Sequence, residues 1–159
     1  MTQTNSSETV NDLRKELNVS LLNSGIMALR NGDSAMALTF FERAHTMSQS
    51  PTSCSFLGYC IALTGGEINR ALALCEEALL KEPENHVHYL NLGRICLLTG
   101  NKKDAIKAFN DGLRLGANNE IRDELNKLGN RKGLLLSFLG RSNPLNKYLG
   151  LTLKKLGLR

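Results

Sequence analysis

An all-α array of three helical hairpins, followed by a capping helix and a C-terminal amphipathic helix, is the fold class that this sequence predicts. Three observations carry the prediction. First, small residues recur with one period: Ala37, Ala71 and Ala105 are spaced by 34 residues, and so are Ala44, Ala78 and Gly112. Second, apolar residues within a period fall at i, i+3 and i+4 intervals, as in Leu38, Phe41 and Ala44, the spacing of a buried helix face. Third, each period is interrupted by a turn, at Asn31-Gly32-Asp33, Gly65-Gly66-Glu67 and Thr99-Gly100-Asn101, where glycine stops one helix and a polar side chain starts the next.

The elements follow in order. Residues 1–17 are a polar lead-in, Ser/Thr-rich and frayed over the first ten, with helix over 11–17. Residues 18–50 form the first hairpin, with Gly25 in its first helix, Asp33 as the N-cap of the second, and Ala37, Phe41 and Ala44 on the buried face. Residues 51–85 form the second hairpin. Ser50 caps it, Pro51 takes the first helical position, and Pro83 closes it. Residues 86–118 form the third, with Asn101 capping its second helix and Asp104 three residues on, near a capping-box arrangement. Gly25, Gly58 and Gly93 sit mid-helix, where glycine costs about 0.5–1 kcal/mol against alanine. The expected return is close approach of the partner helix. Residues 119–130 read as a capping helix with Asn119 at its start and Ile121, Leu125 and Leu128 as its inner stripe.

The positions resemble those of the tetratricopeptide repeat family, whose unit is a 34-residue helix–turn–helix. Tyr89, Leu92, Gly93, Ala105, Phe109 and Gly112 fall on signature positions in the third copy. Leu57, Gly58, Ala71, Ala78 and Pro83 do so in the second, and Gly25, Ala37, Phe41 and Ala44 in the first. Leu21 and Cys54 replace the usual Trp, and Cys75 replaces the usual large residue of the second helix. The resemblance covers about residues 18–118 and implies a right-handed helical-hairpin array. Its size is also similar to that of small bacterial tetratricopeptide chaperones of secretion systems, an analogy of scale alone.

The resemblance implies that first helices line a concave groove. Carried over by position, the lining is Leu22, Ile26, Leu29 and Arg30, then Ser55, Tyr59, Ala62 and Leu63, then Val87, Leu90, Arg94 and Leu97. Some family members clamp a peptide's C-terminal carboxylate with Lys, Asn and Arg. Here Leu22, Ile26 and Phe56 stand where such polar groups are needed, so the clamp is not supported. A mostly apolar groove suits an amphipathic helix or hydrophobic peptide. A second copy of the chain is a further candidate to cover exposed apolar surface.

Residues 131–159 form a basic tail. Asn143-Pro144 starts an amphipathic helix carrying Leu145, Leu149, Leu153 and Leu156 on one stripe. The net charge of the chain is +5, but residues 119–159 hold nine basic and three acidic groups. The tail has three readings: it extends the cap, it fills the array's own groove, or it docks through Arg141, Lys147, Tyr148, Lys154 and Lys155 on an acidic partner or an anionic membrane surface. With Phe138 and Tyr148 its only aromatics, nucleic-acid binding is not favoured.

Catalytic patterns are not found. No nucleophile elbow, HExxH or phosphate loop occurs. His86 and His88 are two apart on a helix and diverge, His45 stands alone, and Glu76-Glu77 and Glu82-Pro-Glu84 read as a solvated face and a loop. Cys54, Cys60, Cys75 and Cys96 lack metal or redox spacing and read as small core residues. The expectation is a cytoplasmic, non-enzymatic protein-binding module without a cofactor. The N-terminus lacks the pattern of a secretory signal, and the chain has no apolar run of about 20 residues to span a membrane.

Overall fold

The structure is a computed structural model that describes residues 4–129, with side chains from residue 9 onward. The described residues form seven α-helices: α1 Thr4–Arg30, α2 Ser34–Met47, α3 Pro51–Leu63, α4 Ile68–Lys81, α5 His86–Leu98, α6 Lys102–Arg114 and α7 Asn119–Gly129. The predicted tail helix lies outside the described residues, and with it Arg141, Lys147, Tyr148, Lys154 and Lys155.

Each helix boundary has a local cause. Asp33 accepts the amide of Met36, Ser50 that of Ser53 and Asn101 that of Asp104, so each caps an orphan N–H of the next helix. Gly32, Gly65 and Gly100 end the first helix of each hairpin at φ of 79°, 78° and 77°, backbone that L side chains rarely adopt. Two expectations need correction here. The cap of α7 is Asn118, whose Oδ1 accepts the Ile121 amide at 2.9 Å, and Asn119 is already helical. The lead-in, expected to fray over its first ten residues and to run as helix over 11–17 into the first hairpin, is helical already from Thr4, and α1 continues unbroken to Arg30 as one helix of 27 residues. Neither Pro nor Gly occurs between Thr4 and Ser24 to stop it.

The helices pair as α1 with α2, α3 with α4 and α5 with α6, and the pairs stack through α2–α3, α3–α5 and α4–α5. The core runs along these seams, through Ala28, Phe41, Leu57, Cys60, Cys75 and Ile95. The mid-helix glycines do allow close approach, in two ways. A Cβ at residue 25 would stand 2.6 Å from Phe41 Cζ, and one at residue 93 would stand 2.3 Å from Phe109 Cε1. At Gly58 the facing residue is the smaller Cys75, and α4's own backbone moves in instead: a Cβ there would meet the Ala71 carbonyl oxygen at 2.5 Å. The replacement of a large residue by Cys75 is therefore compensated by closer backbone packing.

The chain divides into two compact units, residues up to Arg122 and residues from Asp123. In the first, Ile121 is fully buried and lies where a Cβ at Gly112 would meet its Cδ1 at 2.8 Å. In the second, Leu125 and Leu128 are half-buried and Lys127 reaches Glu124 at 3.6 Å. Among the described residues no helix is long and apolar enough to cross a membrane.

Candidate partner-binding face

Helices α1, α3 and α5 are the first helices of the three hairpins, and they carry every residue predicted to line the groove. Leu22, Ile26, Leu29 and Tyr59 are half-buried and pack against the common core. Leu63, Val87, Arg94 and Leu97 are also half-buried, and Arg30 is exposed. Ser55, Ala62 and Leu90 differ from expectation. All three are buried, so they support this face from beneath instead of offering contacts on it. The reason is the closeness of α3 and α5, which turns positions on the facing sides of the two helices into an interior seam.

That seam holds a buried polar pair. Asn91 Nδ2 donates to Ser55 Oγ at 2.7 Å, and both side chains are fully buried. Asn91 Oδ1 has no hydrogen-bond partner. A buried amide that is only half-satisfied costs stability but tolerates few alternative registers. Above the seam, the Arg94 guanidinium lies 5.5 Å from the centroid of the Tyr59 ring, in cation–π contact, and donates to Glu120 Oε2 at 3.2 Å. Arg94, one of the two arginines predicted to line the groove, is thus held between an α3 ring and a carboxylate at the start of α7. Phe56 stacks on Phe41, with centroids 4.9 Å apart and planes 4° from parallel, joining α3 to α2.

Glu82 lies in the loop after α4 with its side chain 44% exposed, as the sequence reading has it, but it also holds His88, for which the spacing offered no partner. His88 is fully buried at the first turn of α5, and its Nε2 lies 3.0 Å from Glu82 Oε2. The same oxygen accepts from Asn85 Nδ2 at 3.0 Å. Burial lowers the His88 pKa, partly opposed by Glu82; the Asn85 and His88 hydrogen bonds lower that of Glu82. Nothing in the spacing of these residues signals the contact, because it depends on how the loop between α4 and α5 folds back.

The four cysteines are free and buried. Burial raises the Cys54 and Cys96 thiols, pushes Cys60 up to about 12 and raises Cys75 further. Thiols in such surroundings are poor nucleophiles. Among the described residues no group of three or more His, Cys, Asp or Glu side chains is arranged to hold a metal ion.

Residues 62–123 match the family model described as tetratricopeptide repeat. The curated proteins yield no match to this chain. Among solved structures, an O-GlcNAc transferase from Thermobaculum terrenum is similar at 20% identity and a TM-score of 0.56, over 64% of this chain and 20% of that one, so the chain spans about a fifth of that enzyme. The first TPR domain of human RPAP3 aligns at 16% identity and a TM-score of 0.55, over 71% of this chain and 90% of that one. The Sgt2 TPR domain from Aspergillus fumigatus aligns at 13% identity and a TM-score of 0.54, over 82% and 93%. These likenesses are likenesses of fold. Residues 62–123 thus carry the tetratricopeptide repeat pattern, and the helical-hairpin fold of the chain is that of solved tetratricopeptide domains.

Proposed function

We propose that the chain is a non-catalytic interaction module that holds an amphipathic helix or hydrophobic peptide against the first-helix face. Tetratricopeptide domains are in general protein–protein interaction modules. The observation that carries the reading for this chain is the composition of the face: Leu22, Ile26, Leu29, Tyr59, Leu63, Val87 and Leu97 are all half-buried, so they keep apolar surface available. Arg94, fixed against Tyr59, supplies orientation without a free charge to desolvate. Such a surface gains affinity from apolar burial, about 25 cal/mol per Å² before ordering costs.

The test is selection of helical peptides from a display library on the full chain, followed by calorimetric titration of the winners. Tyr59→Ala and Leu97→Ser should each weaken binding by roughly tenfold or more, while Leu80→Ser on α4 should leave it unchanged. Equal binding by all three variants would place the peptide elsewhere and sink the reading.

The charge asymmetry favours a second reading, a tether acting through the basic residues of 131–159 on an acidic partner or an anionic membrane surface. Here binding to vesicles rich in phosphatidylserine should disappear when residues 131–159 are removed, whereas peptide binding at the first-helix face should persist or improve. An adaptor or chaperone-like role follows from the first reading. A tail that lies in the groove would make that role self-regulated.

A further inference from the structure

We infer that α1 is an antiparallel dimerisation helix, pairing with α1 of a second copy of the chain. The first observation is length. α1 has 27 residues and its partner α2 has 14, so at 1.5 Å per residue α1 outruns α2 by about 20 Å. The second is what this helix shows to solvent. Val10, Leu13, Leu17 and Met27 are each more than half exposed. With Ser20 and Ser24 they occupy positions 10, 13, 17, 20, 24 and 27, an unbroken 3–4 alternation that puts all six on one stripe. The third is shape. The serine half of the stripe sits in a hollow of about 570 Å³ whose lining includes Val19, Ser20, Asn23, Ser24, Met27 and Met36. Val10 and Leu13 lie on the part of α1 that outruns α2, and Leu17 borders a second hollow with Thr39, Thr46 and Met47 of α2.

Knob and hollow therefore lie on one helix, and a reversed copy of that helix matches them. With Leu17 opposite Ser20 of the second copy, Leu13 falls opposite Ser24 and Val10 opposite Met27. Every layer then contains at least one large apolar side chain, and a small one faces each leucine. The flanking positions place Glu16 against Asn23 and Arg14 against Leu21, with no like charges opposed. The alternatives fail on the same residues. A parallel pair stacks Ser20 on Ser20 and Ser24 on Ser24, leaving empty layers. An antiparallel pair shifted by one heptad faces Arg14 with Arg14 and Glu16 with Glu16. An isologous two-fold contact is the arrangement that a self-complementary stripe selects. The occupant is accordingly a second copy, and the first-helix face built from Tyr59 and Leu97 takes no part in the contact.

Sedimentation velocity of the full chain from about 1 to about 200 μM tests this. A monomer–dimer equilibrium is expected. Leu13→Asp with Leu17→Asp should raise the dissociation constant roughly a hundredfold, with unchanged helical circular dichroism because both positions are exposed. Register is read by oxidation: Leu13→Cys with Ser24→Cys should form an intermolecular disulfide, and Leu13→Cys alone should not. Residues 13 and 24 are about 16 Å apart along one helix, too far for a bond within a chain. A chain that stays monomeric throughout overturns the inference, and its stripe is then covered by another segment or another protein. A dimer that survives the aspartates, or that crosslinks through Leu13→Cys alone, overturns it as well.

Discussion

Single atoms decide several positions in this protein. Gly58 faces a backbone carbonyl at a distance no Cβ tolerates, whereas Gly25 faces the ring of Phe41, a side chain and not backbone. Gly58→Ala should therefore destabilise by about 2–3 kcal/mol in chemical denaturation, despite the better helix propensity of alanine, and by more than Gly25→Ala. Asn91 and Ser55 test the asymmetry of buried hydrogen bonds. Ser55→Ala strips Asn91 of its partner and should cost about 1–3 kcal/mol, because the amide remains buried. Adding Asn91→Leu to Ser55→Ala should recover much of that loss, and urea midpoints of the two variants would show it. Both effects follow from packing distances. The glycines stand out in the sequence as exceptions inside helical patterns, but Asn91 carries no such signal, since a polar residue in a helix reads as exposed until its neighbour is known.

At the scale of an element, Asn85 caps the start of α5, and the contact of His88 with Glu82 ties its first turn to the loop before it. The folded-state pKa of His88 is lowered, so the stability it contributes is present above the ordinary histidine value of about 6.5 and is lost as pH falls through the lower folded value. Glu82 is lowered too, and its contribution is lost at still more acidic pH. Urea midpoints should therefore fall between pH 7.5 and pH 5, and His88→Gln should flatten that slope. An unchanged slope would mean that the pair opens at low cost. The cysteines make a matching prediction. At pH 8 a thiol reagent should modify none of the four at an appreciable rate until urea unfolds the chain, because burial keeps the thiolate population low.

At the scale of the molecule, apolar and electrostatic binding separate through salt. Raising NaCl from about 0.1 to about 0.5 M should change peptide affinity at the first-helix face by less than about threefold, and should abolish vesicle binding by the basic tail. Titrations at the two concentrations measure both.

The array itself was legible because its period is written in residue types. Small residues at 34-residue spacing, glycine at each turn and a capping side chain after it are local requirements, and chain chemistry alone satisfies them. That is why α2 to α6 lie where the pattern puts them, why Ser50, Asp33 and Asn101 cap as expected, and why residues 62–123 match the family pattern. What tertiary structure decided depends on distances between residues remote in sequence. The closeness of α3 and α5 buried Ser55 and Leu90 and brought Arg94 onto Tyr59. The fold of the loop after α4 joined His88 to Glu82. The absence of a helix breaker let α1 extend past α2, and the mismatch in length left Val10 and Leu13 exposed. Periodicity fixes which side of a helix is apolar, because that depends only on spacing along the chain. Which apolar side remains open to a partner depends on what packs against it, and that is settled only when the helices meet.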